Sequence, residues 1–184
     1  SSDVCSSDLF LVKNPTKNKS AQRKAFIELV NEWAIPKHKK SIPYVWGGCS
    51  FIDKKPVHLA KPLHKKSNGN ELGFYKIPGV QTTKYGMDCS GLVIRAAQAV
   101  GIPYYYKNTT TLLHELAKVK AKDKIEPGDL IGISGHVIII TNPKYNLCVE
   151  ARDYGHGYGK IHEVHIAELF KETPNIAKLK AAYL

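Results

Sequence analysis

Val137-Ile138-Ile139-Ile140 is an unbroken β-branched run. It has no polar side to turn toward water, so it fits a strand buried on both faces. Such a strand needs apolar cover above and below it. The flanking sequence supplies partners. Ile125-Glu126-Pro127-Gly128-Asp129-Leu130 reads as a turn leading into a preceding strand, and from Leu130 onward the chain reads as β. Residues 142–146, Asn-Pro-Lys-Tyr-Asn, form a hairpin loop, and Leu147 to Ala151 return as a strand. A last strand over Ile161–Ile166 and a short C-terminal helix close the chain. The first half reads as helical. Ser20 is placed to cap a helix from Ala21 to Ala34, with Phe26, Leu29, Val30 and Trp33 on one face and Pro36 ending it. Leu92, Val93, Ala96, Ala97 and Val100 predict a second helix, stopped by Gly101 and Pro103. Thr109 to about Lys118 predicts a third, through Leu112, Leu113 and Leu116. Helices first and strands later give an α+β fold with an antiparallel sheet. At 184 residues and 43% hydrophobic content, a single domain with a real core is expected.

Residues 1–20 differ in composition. Ser1 to Leu9 is nearly a repeat of Ser, Asp and small residues, and the stretch reads as a disordered tail or an artefact, with Cys5 set aside. The domain is then expected over 21–184. Residues 49–85 carry Lys, Pro, Gly and Asn with little periodicity, and read as a functional loop or lid. His58 and His64 lie there, six apart, in a spacing that admits a metal pair but fits an ordinary loop far better. The net charge of +11 favours a polyanionic partner (nucleic acid, an anionic membrane face or an anionic wall) or simply a well-solvated surface. No nucleic-acid-binding motif accompanies it. No apolar run is long enough to cross a membrane. The first residues show neither the basic start nor the apolar core of a secretory leader.

The chemistry centres on Gly86-Met87-Asp88-Cys89-Ser90-Gly91-Leu92-Val93. Cys89 falls in the first turn of the second helix, where unpaired N–H groups and the helix dipole stabilise a thiolate. A buried cysteine there also serves as a small core residue. His136 starts the buried strand, where an imidazole facing the thiol can take its proton. Glu150, within Val149-Glu150-Ala151, lies on the returning strand as a cross-strand neighbour of His136, and a buried glutamate needs a partner. A third polar group orients the imidazole of a catalytic pair. Cys5, Cys49, Cys89 and Cys148 form no CxxC pair, so a zinc site of the usual spacing is not expected.

These residues carry a resemblance. Pro43-Tyr44-Val45-Trp46-Gly47-Gly48, Asp88-Cys89-Ser90-Gly91-Leu92-Val93, Pro127-Gly128-Asp129-Leu130 and Gly135-His136-Val137, in that order, resemble the motifs of the NlpC family of papain-like bacterial cell-wall cysteine peptidases. The nucleophile motif is the most specific, and the likeness covers about residues 40–151. It implies a papain-like α+β domain at the cell envelope, periplasmic or secreted, and monomeric. It implies hydrolysis of peptidoglycan stem peptides, between γ-D-glutamate and a diamino acid. Cys89 would be the nucleophile and His136 the general base. Tyr44 would line the substrate site. Asp88 and Ser90 match positions that hold the free amine of the stem peptide in some members, though Asp88 reads equally well as a helix cap. No metal or organic cofactor is required.

Two features depart from the pattern. The family's third residue is commonly His, Asn or Gln, whereas this chain offers Glu150, as in the related CHAP amidases. His156 is the reserve if the hairpin register differs. The insertion at 49–85 is also longer than the family's usual link. Alternatives are an N-acetylmuramoyl-L-alanine amidase or an acyltransferase of the same fold. A catalytically silent module that holds an anionic wall polymer through its lysines is the alternative outside the enzymes.

Overall fold

A computed structural model of the protein describes residues 10–14, 20–35, 41–50, 57–58, 81–82, 86–102, 108–153, 156 and 158–184; for residues 49–50, 57–58 and 81–82 it describes the backbone alone. The architecture is α+β. Five antiparallel strands form the main sheet: β1 (Phe10–Val12), β6 (Leu130–Ile133), β7 (His136–Asn142), β8 (Leu147–Arg152) and β9 (Lys160–His165), in the spatial order β1-β6-β7-β8-β9. Two short ladders lie apart from it. One pairs β2 (Cys49–Ser50) with β5 (Gly86–Met87), the other β3 (Val57–His58) with β4 (Gln81–Thr82).

The β-branched run behaves as its composition demands. Val137 and Ile139 enter one apolar cluster, Ile138 and Ile140 the other, and all four are buried. Alternation across the strand therefore divides two cores. The first core lies under α1 (Ser20–Ala34), α2 (Cys89–Ala99) and α3 (Thr109–Glu115). Phe26 and Val30 of α1 are fully buried, and Leu29 and Trp33 pack partly buried beside them. The second core is covered by α4 (Ile166–Leu169), α5 (Ile176–Tyr183) and the apolar side chains Val119 and Ile125.

Three sequence expectations need correction. The tail expected over residues 1–20 contains a strand. Leu11 and Val12 are buried, Phe10–Val12 pairs with Leu130–Gly132, and Ser20 already belongs to α1. Three consecutive apolar residues outweigh the polar composition around them. Lys13 and Asn14 then bind Asp129, which fixes the chain as it leaves the sheet. The helix expected to reach Lys118 stops at Glu115. Leu116 is extended, and Lys118 bridges to Val12, so sheet pairing takes the backbone from the helix there. The expected loop at 49–85 carries the short strands β2, β3 and β4. His64 and the side chain of His58 lie outside the described residues, as do residues 1–9.

Candidate active site

The Asp88 carboxylate builds the start of α2. Its Oδ1 accepts from the Gly91 N–H at 2.6 Å and from the Ser90 hydroxyl at 3.1 Å, while Oδ2 accepts from the Gly47 N–H at 2.9 Å. This is an N-cap, and it also ties the glycine turn to the helix. The Gly48 carbonyl in turn accepts from the Asp88 N–H at 3.0 Å. The glycines serve close backbone approach. A Cβ on Gly48 would meet the Gly86 carbonyl oxygen at 2.7 Å, and a Cβ on Gly91 would run into the Gly48 carbonyl oxygen. Of the two roles open for Asp88, the geometry supplies the cap. Ser90 is buried and spends its hydroxyl on Asp88.

This turn sets Cys89 as the first residue of α2, a buried free thiol. Its Sγ lies 3.5 Å from the Thr109 hydroxyl, at the first residue of α3, and 3.9 Å from the Gly135 carbonyl oxygen. Gly135 takes a left-handed conformation between β6 and β7, so His136 follows directly from a residue whose carbonyl faces the thiol. The His136 imidazole lies close enough to the Cys89 thiol for each to shift the other's ionisation. On its other side, His136 Nε2 lies 2.6 Å from Glu150 Oε2. That contact leaves Nδ1 as the ring nitrogen that can serve the thiol.

Glu150 is fully buried, and its oxygens are occupied. Oε2 meets His136; Oε1 meets His162 Nε2 at 3.1 Å; Arg152 Nη1 lies 3.3 Å from Oε2. The register explains the meeting. Glu150 and His162 are Cα partners across β8 and β9. The pairing of Ile139 with Val149, continued by one residue, puts His136 one diagonal from Glu150.

The electrostatics follow from these contacts. Burial alone would raise the Cys89 thiol. His136 and the Thr109 hydroxyl together outweigh it and hold the thiol below its ordinary value. Burial alone would lower His136, but Cys89 and Glu150 bring it up to about 9. Burial opposes ionisation of Glu150 too, yet His136, His162 and Arg152 bring it down to about 2. A thiolate–imidazolium pair backed by a carboxylate is thus the favoured charge state. Such a pair can attack an acyl carbon and return a proton to its leaving group. Tyr44 is buried, and that burial, together with the negative charges of Cys89, Asp88 and Asp153, keeps its phenol protonated well above the ordinary range. It is a hydrogen-bond donor beside the thiol's charge.

Cys89, His136 and Glu150 therefore converge, with Tyr44, Asp88 and Ser90 around the thiol's end of the helix. His156 does not join them. It is exposed, and its Nδ1 lies 2.7 Å from Asp153 Oδ1. Cys148 is buried beside Glu150; burial and that negative charge push its thiol far upward, which makes it inert. Thr109 and His162 were not singled out by the sequence. For Thr109 no motif exists. For His162 the signal was the need of Glu150 for a partner, which an antiparallel return strand could have supplied. Among the described residues no cluster of three or more His, Cys, Asp or Glu side chains is placed to hold a metal ion, and no helix is long and apolar enough to cross a membrane.

No family model matches the chain, and neither a curated protein nor a solved structure matches it.

Proposed function

We propose that this chain is a cysteine hydrolase of papain-like architecture that cuts peptidoglycan stem peptides, in the manner of the NlpC peptidases its motifs resemble. The observation that carries the reading is the His136 imidazole held 2.6 Å from the buried Glu150 carboxylate, at the residue that follows the Gly135 carbonyl 3.9 Å from Cys89 Sγ. In the reaction, the Cys89 thiolate attacks the carbonyl carbon of the scissile amide. The C–N bond breaks as the His136 imidazolium gives its proton to the departing amine. Water, deprotonated by His136, then splits the thioester, releasing the acid and restoring the thiol. Backbone N–H near Cys89 and the Tyr44 phenol are the donors we assign to the developing oxyanion. The Asp88–Gly91 cap fixes the geometry rather than contributing a charge to the reaction. The lysine-rich composition suits an anionic wall, and the resemblance supplies the substrate class.

The test is mass-spectrometric product analysis of purified peptidoglycan treated with the wild-type protein and with Cys89→Ala. A new free amine on the diamino acid, absent with the variant, supports an endopeptidase. Release of whole stem peptides moves the reading to an amidase. No Cys89-dependent product, with a thiol that is inert near neutral pH, overturns the hydrolase and leaves the wall-binding module.

A further inference from the structure

Glu150 uses one oxygen on His136 and the other on His162, a residue to which the cell-wall hydrolase reading gives no part. His162 is buried in β9, and its ring stacks on Tyr158 with centroids 4.0 Å apart and planes 11° from parallel. Its Nδ1 lies 3.2 Å from the Glu163 carbonyl oxygen and its Nε2 lies 3.1 Å from Glu150 Oε1. A carbonyl and a carboxylate only accept, so each contact is a hydrogen bond when the facing nitrogen carries a proton. Among the described residues, the charged and titratable groups around the pair include Cys148, Glu150 and Arg152 on β8, His136 on β7 and Tyr158 before β9.

We infer that His162 is a positioning residue, the fourth member of a chain Cys89–His136–Glu150–His162. A carboxylate can rotate about its last bond, and one anchored oxygen fixes where the other points. His162 holds Oε1, which keeps Oε2 on His136 Nε2. Tyr158 and the Glu163 carbonyl fix the His162 ring in turn. The inference rests on the thiolate–imidazolium reading of Cys89 and His136.

The experiment follows alkylation of Cys89 by iodoacetamide, resolved by peptide mass spectrometry between about pH 5 and about pH 9. It needs no substrate. Wild type, His136→Ala, His162→Leu and His162→Gln are compared, with thermal melts alongside. The wild type is expected to alkylate rapidly on the acid side, and His136→Ala to lose that reactivity. His162→Leu is expected to slow the acid-side rate about tenfold, as loss of a hydrogen bond to a charged group does. His162→Gln, which retains an N–H donor, is expected to recover most of that rate. If wild type and His136→Ala react alike, the hydrolase reading itself fails. If that pair differs and His162→Leu matches wild type, His162 does not position Glu150. Equal slowing in Leu and Gln variants, in step with lower melting temperatures, assigns His162 to packing and overturns the inference. Should His162→Leu not fold, nitrogen-15 NMR of the wild-type ring decides: a proton on Nε2 is expected, and a bare Nε2 overturns the contact.

Discussion

His136 Nε2 stands 2.6 Å from Glu150 Oε2, inside a site where the carboxylate is fully buried. A contact this short between a ring nitrogen and a buried carboxylate is a charge-assisted hydrogen bond. It fixes the ring plane and favours the imidazolium that the Cys89 thiolate needs. Glu150→Gln keeps the shape and removes the charge. The expected result is a fall in kcat/KM of about 10- to 100-fold, with Cys89→Ala showing no turnover. Steady-state kinetics on a stem-peptide substrate checks it, with circular dichroism to show that the variant is folded. Wild-type kinetics in Glu150→Gln would remove the carboxylate from the mechanism.

The pH profile follows from the same contacts. His136 is raised from an ordinary 6.5 to about 9. Its contribution is fully present below the ordinary value and disappears as pH rises through about 9. Glu150 is lowered from 4.5 to about 2, so its contribution is present above 4.5 and disappears as pH falls through about 2. Across the neutral range both groups are therefore charged. A plot of kcat/KM against pH is expected to be bell-shaped. Its acid limb reports ionisation of the Cys89 thiol, held below 9.0. Its alkaline limb falls near pH 9, where the imidazolium is lost. In Glu150→Gln the alkaline limb moves to lower pH. An alkaline limb unmoved by that substitution would separate it from His136.

Thr109 gives a third prediction. Its hydroxyl lies 3.5 Å from Cys89 Sγ in a buried setting and helps hold the thiol down. Thr109→Val keeps the side-chain shape and removes the donor. The thiol should then rise, and alkylation near neutral pH should slow about two- to tenfold. Thr109→Ser should stay close to wild type. Measuring the alkylation rate of Cys89 in all three proteins decides it: equal rates would mean that the hydroxyl is only packed against the sulfur.

The convergence of Cys89, His136 and Glu150 was legible because each sits in a local signal. Cys89 follows a cap residue and precedes an apolar helix; His136 opens a β-branched run; Glu150 interrupts an apolar strand. The meeting of His136 and Glu150 required only that β7 and β8 form a hairpin, and the turn residues 142–146 announced that; Cys89 joins them because α2 packs on that sheet. His162 was not legible in the same way. Its partnership with Glu150 depends on the register of β8 against β9, and a glycine-rich connection of several residues sets no register of its own. Thr109 reaches Cys89 from α3, twenty residues further along the chain, and no pattern links the two. The first strand was hidden differently. Phe10-Leu11-Val12 is too short to show alternation, and the serine-rich residues before it dominated the composition.

Asp129 shows what that first strand does for the fold. It is fully buried in the turn before β6. Its Oδ1 accepts from the Asn14 N–H at 3.1 Å and from Arg23 Nη1 at 3.2 Å; its Oδ2 accepts from Lys13 Nζ at 2.7 Å and from the Glu126 N–H at 2.8 Å. One carboxylate thus joins the end of β1, helix α1 and the turn into the sheet. Asp129→Ala would leave two backbone donors and two cations without this acceptor, and is expected to destabilise the protein by about 3–5 kcal/mol. Urea denaturation of the wild type and the variant measures it. The same substitution in a chain lacking residues 1–14 separates the roles. There the Lys13 and Asn14 partners are already gone, so Asp129→Ala should destabilise that chain less than it destabilises the full chain. An equal loss in both backgrounds would mean that Asp129 serves the turn alone and that β1 is held by its ladder with β6 and by Leu11 and Val12.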